Sequence, residues 1–247
     1  MLAAIALAGT LASPQAKGVP EPHSIVYSGI PGMIGDAEVR MDSHSVTMTI
    51  GNGSVTVDTL TLLKNTRAAD SAVKVKFPWT SRCTNDDFLV PPSTLAATWD
   101  KTALKLEPDW RDVATANLGP RFRQKVYLAD VTIKANATHA LRVHYTMPLG
   151  RGGLDNLLRV AAYGTTYAEY WHGPIGRFQI SLKYSPQTVF QVYSAMPNWG
   201  WQIGPNGAFL RKDGLAQGGE VLLFSFYPGG FQGIGGKDAK GGGGGLG

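Results

Sequence analysis

The chain has 247 residues, 43% hydrophobic and 17% charged, with 23 Lys and Arg against 18 Asp and Glu for a net charge of +5. That is enough apolar material for one large or two small globular domains and too much for a disordered chain. The basic residues are scattered singly, which argues against a nucleic-acid partner. The single Cys83 excludes an internal disulfide and has no Cys or His at zinc spacing.

Residues 1–16 hold an apolar run, Leu2 to Ala8 and then Leu11 and Ala12, followed by Ser13, Pro14, Gln15 and Ala16. This looks like a secretory signal with a loose cleavage pattern at Thr10 and Ala12, although no Lys or Arg precedes the run. A short buried N-terminal segment is the other reading. The run is too short to cross a bilayer as a helix, so no transmembrane segment is expected in the mature chain, and a periplasmic or extracellular location is.

From Glu38 onward the dominant period is two, which belongs to strands. Val46, Met48 and Ile50 alternate with threonines and lead through Gly51-Asn52-Gly53, with positive φ expected at Asn-Gly, into Val55, Val57 and on to Leu63. After the polar loop from Lys64 to Ser71, Val73, Val75 and Phe77 alternate with lysines until Pro78, which is expected to stop the ladder. Leu95, Ala97 and Trp99, then Leu104 and Leu106, flank Asp100-Lys101 as a short hairpin. Val131 and Ile133 lead through Asn136-Ala137-Thr138 to Leu141, Val143 and Tyr145, which reads as a second hairpin closing a first domain over residues 22–148, an immunoglobulin-like sandwich.

Residues 150–153 read as a flexible Gly-rich joint, and residues 154–158 as a single helical turn. Beyond them, Ile175, Phe178, Ile180 and Leu182 make a half-buried strand, and the run from Val221 to Tyr227 suits a central one. These place a smaller β domain at residues 155–228, ahead of a Gly-rich tail, 229–247, expected to be disordered. The expected fold class is all-β, with two sandwich-like lobes.

The run from Val55 to Leu63, Asn65-Thr66, and Val73 to Phe77-Pro78, followed later by Tyr167, Trp171, Gly173-Pro174-Ile175-Gly176 and Phe178, resembles the domain of unknown function 4424 family of secreted bacterial proteins. The two stretches anchor most of residues 38–183. The resemblance implies export and a β architecture. It brings no catalytic residues, because that family has no established activity.

No Gly-x-Ser-x-Gly or His-Glu-x-x-His motif is present. Gly236-Lys237 fails as a phosphate loop, since Asp238 stands where Ser or Thr is required and Phe231 where Gly is. Asp86-Asp87 and the group Glu107, Asp109 and Asp112 are either solvated loop carboxylates or calcium ligands without a recognised spacing. The local feature that stands out is aromatic: Tyr163, Tyr167, Tyr170, Trp171, Tyr193, Trp199 and Trp201. Such rings either fill a small core or stack against a sugar or a partner's apolar side chains. Trp171, His172, Trp199 and Trp201 are the candidate ligand-binding residues, and no cofactor, metal ligand or catalytic residue is assigned. The function expected is binding or a structural role in the cell envelope or outside the cell, with a glycan or an envelope protein as partner. A carbohydrate-binding module built on the tryptophans, and a polysaccharide hydrolase using Asp109 and Asp112, are the alternatives.

Overall fold

The computed structural model describes residues 25–35, 38–82, 94–113, 122–166, 171–216 and 220–230. The expected signal segment, Cys83, Asp86, Asp87, Tyr167, Tyr170 and residues 231–247 of the Gly-rich tail lie outside these. In chain order the strands are β1 (Ile25–Ser28), β2 (Gly32–Ile34), β3 (Val39–Ile50), β4 (Ser54–Asn65), β5 (Ser71–Arg82), β6 (Ala96–Trp99), β7 (Thr102–Ala103), β8 (Glu107–Val113) and β9 (Phe122–Ile133). They continue with β10 (Thr138–Pro148), β11 (Gly150–Gly152), β12 (Leu158–Gly164), β13 (Ile175–Lys183), β14 (Val189–Met196), β15 (Gln202–Gly204), β16 (Gly207–Leu215) and β17 (Val221–Pro228). Where a helical turn was predicted, Leu154–Asn156 instead make a tight turn in which Asp155 and Asn156 take positive φ (54° and 57°), outside the right-handed helical region.

Among the described residues these strands form three sheets. The largest has eight strands in the order β15-β16-β13-β3-β4-β10-β6-β7, the second runs β1-β5-β9-β8 with β2 also on β5, and the third runs β11-β12-β17-β14. The protein is thus all-β and sandwich-like, as expected. The interior place of β17 agrees with its nearly unbroken apolar sequence. One core cluster draws on all three sheets, with Val46, Val57 and Ile180 from the first, Val75 and Trp79 from the second, and Tyr163 and Phe224 from the third. The second and third sheets together form the layer that faces the first.

Several details differ from expectation. The predicted joint at residues 150–153 contains β11, which pairs with β12. The segments expected to form separate lobes meet in one sheet, because β13 runs parallel beside β3 with Ile180 opposite Val46. Alternation identifies a strand but carries no information about its neighbour. For the same reason the expected hairpin at Asn136 is not one: β9 pairs with β5 and β8, whereas β10 pairs with β4 and β6. The connection is an arch between layers. The β4–β5 link is a second arch beside it, and Asn65 fastens the two. Its buried amide donates to the carbonyls of Ala69 (2.9 Å) and Ile133 (3.1 Å), and its Oδ1 accepts from the Arg67 N–H (2.9 Å).

Pro78 does not end β5, which runs on to Arg82 between β9 and the β1–β2 pair. The Pro78 carbonyl accepts the Ser28 hydroxyl at 2.6 Å, so this residue's hydrogen-bonding side points at the end of β1, and its missing N–H interrupts no bond to β9. At the β3–β4 hairpin only Gly53 takes positive φ (+85°), which gives the turn type II character.

The register of β3 slips at Asp42, so Met41 and His44 both face the core although three positions apart. Beside this bulge a Cβ on Gly176 would stand 2.5 Å from the Asp42 carbonyl oxygen. The Gly-Pro-Ile-Gly stretch therefore closes on β3 at a point where only glycine fits.

Candidate binding site

The four candidate residues divide into two groups by their places along β13. Trp171 and His172 precede its first residue. Trp199 and Trp201 sit in the loop between β14 and β15, and β15 pairs with β16 beside the far end of β13, where Lys183 lies opposite Gly207. Trp171 is buried at the head of β13, whereas Trp199 and Trp201 belong to the loop between β14 and β15. They do not form one platform.

Trp171 is 2% exposed, and its indole N–H donates to the Pro31 carbonyl at 2.7 Å. It is a core residue and presents no ring to a ligand, which corrects the expectation for this tryptophan. His172 is exposed and its backbone N–H donates to the Val39 carbonyl at 3.0 Å, so the main chain is what fixes it.

Trp199 and Trp201 are half-buried. The Trp201 indole N–H donates to the Pro197 carbonyl at 3.0 Å, the Trp199 backbone N–H donates to the same oxygen at 2.8 Å, and the Trp201 ring packs against Phe224 at 6.4 Å. Trp201 thereby closes the side of the sandwich between β14 and β15. Trp199 also packs on the core, with the Lys212 ammonium 5.9 Å from its ring centroid.

Next to this loop an open groove of about 500 Å³ crosses β13, β15 and β16, lined among others by Ser181, Gln202, Ile203 and Phe209. None of its lining residues is ionisable. Ile203 stands 49% exposed at its rim. The Tyr184 hydroxyl lies within hydrogen-bonding distance of the Gly204 (2.8 Å) and Gly207 (3.1 Å) carbonyls and holds the β15–β16 turn in place. Sequence reasoning missed Gln202, Ile203 and Phe209. The Gly204-Pro205-Asn206-Gly207 turn signal was available to place them on a hairpin, but nothing local indicated that the hairpin would close a groove with β13.

Of the described histidines, His139 and His44 are committed elsewhere, and the exposed His144 on β10 pairs through Nδ1 with Asp58 on β4 at 2.7 Å. His139 pairs through Nδ1 with Asp100, while its Nε2 accepts the Lys134 N–H at 3.1 Å, so neither nitrogen is left to activate a nucleophile. His44 is fully buried, with Nδ1 2.8 Å from the Thr61 hydroxyl and Nε2 2.6 Å from the Tyr163 hydroxyl. Burial lowers its pKa to about 3 and raises that of Tyr163 well above the ordinary tyrosine value. Asp109 and Asp112 lie on the same edge strand, β8, and not on two elements facing across a cleft. Among the described residues no group of three or more His, Cys, Asp or Glu could hold a metal ion.

No protein-family model and no curated protein sequence matches the chain. Among solved structures, a Legionella pneumophila protein put forward as a nutrient binding protein superposes with a TM-score of 0.65 at 13% identity, over 81% of this chain and 71% of that one. The two share a fold. An M1 zinc metallopeptidase of Deinococcus radiodurans (TM-score 0.38, 12% identity, 78% of this chain and 43% of its own) and yeast LTA4 hydrolase (0.42, 9%, 76% and 28%) align too poorly to add to this. No helix among the described residues is long and apolar enough to cross a membrane.

Proposed function

We propose that this protein acts by binding, without catalysis, in the cell envelope or outside the cell, and that its ligand is uncharged. The observation that carries the reading is the groove on β13, β15 and β16, which joins polar Ser181 and Gln202 to apolar Ile203 and Phe209 without an ionisable side chain. Such a lining can orient a neutral ligand through hydrogen bonds and bury its apolar faces, but it offers no acid, base or nucleophile. The role put forward for the Legionella pneumophila fold neighbour is in keeping with this. Export is the expectation from residues 1–16 and from the resemblance to the 4424 family.

A glycan is the uncharged ligand the site suits best, since Phe209 offers a ring within the groove, Gln202 and Ser181 offer hydrogen-bonding groups, and Trp199 lies in the loop that leads into β15. Glycan-array binding by the wild type, Trp199→Ala and Phe209→Ala tests it. A glycan held by the wild type and lost in both variants supports the reading; equal signals in all three reject it. A polysaccharide hydrolase would instead need two carboxylates facing each other across a cleft, which the placement of Asp109 and Asp112 does not favour.

A further inference from the structure

We propose that β14 is a docking edge at which an extended segment of a partner protein adds as a further strand to the β11-β12-β17-β14 sheet. This surface is separate from the groove and does not depend on a glycan ligand.

The argument begins from how the other sheet margins are blunted. A free strand edge invites pairing, and natural proteins discourage it with short strands, charges and prolines. The eight-stranded sheet ends in β7, of two residues, and β15, of three. Where β16 extends past β15 it carries Arg211, Lys212 and Asp213, and Lys212 lies opposite the buried Phe178, an inward-pointing charge. The second sheet ends in β8, whose sequence holds Glu107, Pro108, Asp109, Arg111 and Asp112, and on its other side in the short β1 and β2. The third sheet ends in the three-residue β11 and in β14. Among the described residues β14 is the margin that is neither short nor charged nor broken by proline: eight residues, Val-Phe-Gln-Val-Tyr-Ser-Ala-Met, whose two register shifts against β17 are the one such device it carries.

A second observation points the same way. Phe190 is 61% exposed and Tyr193 is 43% exposed, and the Tyr193 ring meets Tyr227 edge to face at 6.1 Å. Both sit at register shifts against β17, between Val189 and Gln191 and between Val192 and Ser194. Val192 and Ala195, paired with Phe226 and Phe224, pack on the core while the two extra residues stand outside it. Each bulge also adds twist, so the edge suits a short segment and not indefinite edge-to-edge stacking.

Size and charge select the occupant. An edge of eight residues spans about 27 Å. At that length it covers a few hundred Å², well short of the roughly 800 Å² per partner typical of a stable complex between folded proteins. Two copies would also bring together two chains of +5 each. A short extended peptide, apolar at alternate positions and acidic at its flanks, meets both conditions; main-chain bonds supply affinity and the two aromatic side chains supply specificity.

The test uses the full chain and a synthetic peptide, Glu-Glu-Val-Thr-Val-Thr-Val-Glu, with a control in which the central Val is Pro. Hydrogen exchange and binding by fluorescence anisotropy are read for the wild type, for Phe190→Ser/Tyr193→Ser, and for Lys212→Ala at the blunted margin. The expected result is slowed exchange at residues 189–196 with the first peptide only, binding at least about tenfold weaker in the double variant, and no change in Lys212→Ala. The double variant alters exposed side chains, and an unchanged melting temperature confirms that it folds. Absence of protection at 189–196, equal binding by the double variant, or a dimer in sedimentation that the double variant abolishes would each overturn the proposal. A negative glycan array would leave it standing.

Discussion

The Nε2 of His44 on β3 lies 2.6 Å from the hydroxyl of Tyr163 on β12, and this buried contact joins the largest sheet to the facing layer. Tyr163 and Phe178 both stack on the imidazole, with ring centroids at 5.8 and 6.0 Å. Desolvation holds His44 neutral, with its pKa lowered from 6.5 to about 3. Between those values the unfolded chain binds a proton that the folded one does not. The resulting stability is present above pH 6.5 and is lost as the pH falls toward 3. At about 1.4 kcal/mol per pH unit, the whole window is worth at most about 5 kcal/mol. Urea unfolding at pH 7.5, 6.5, 5.5 and 4.5 is expected to show midpoints falling steadily below 6.5, and the slope to flatten in His44→Phe. An equal slope in that variant would locate the acid sensitivity elsewhere.

Gly29 on one side and Gly164 on the other let the end of β1 approach β12, where Ile30 N–H donates to the Gly164 carbonyl at 2.9 Å. A Cβ on Gly29 would stand 2.2 Å from that carbonyl oxygen, a backbone atom that cannot swing aside. Gly29→Ala is expected to lose about 1–3 kcal/mol, as forced overpacking does. Gly51→Ala, whose Cβ would meet nothing nearer than 3.5 Å, should stay within about 0.5 kcal/mol of wild type. Guanidinium midpoints compare the two.

Asn65→Ala removes the donors to Ala69 and Ile133 and the acceptor for Arg67 in one step. Leaving buried backbone groups unpaired costs about 1–3 kcal/mol each at most, and a total loss of about 2–4 kcal/mol is expected. Asn65→Asp should be the worse variant, because it turns a carboxylate toward the two carbonyls. Thermal unfolding of the pair checks the order.

The tryptophans should separate stability from binding. Trp171→Phe keeps a ring in the core but leaves the Pro31 carbonyl without its indole donor, and it should cost about 1–2 kcal/mol while leaving ligand affinity alone. Trp199→Ala should lower that affinity. Calorimetric unfolding together with titration of any glycan found on the array would show a different pattern if Trp171 took part in recognition.

The local pattern gave the strands reliably: Val46, Met48 and Ile50 face inward as their alternation requires, and β17 is interior as its apolar run demands. What that pattern could not convey was where Trp171 would point. A tryptophan beside a Gly-Pro turn is equally compatible with a surface platform and with a buried indole satisfied by a carbonyl 140 residues earlier. The groove was invisible for a related reason. Ser181, Gln202 and Phe209 come from three strands, and only their pairing makes them neighbours.

Side-chain alternation, turn chemistry and composition thus determined an all-β chain with most of its strands in place, since those are short-range properties of the backbone and of apolar burial. The tertiary structure decided that β13 lies parallel to β3 across the expected domain boundary, that the Asn136 connection arches between layers, and that a histidine can sit neutral in the core. Each depends on contacts between residues far apart in sequence, selected by the packing of the whole core and not by any local propensity.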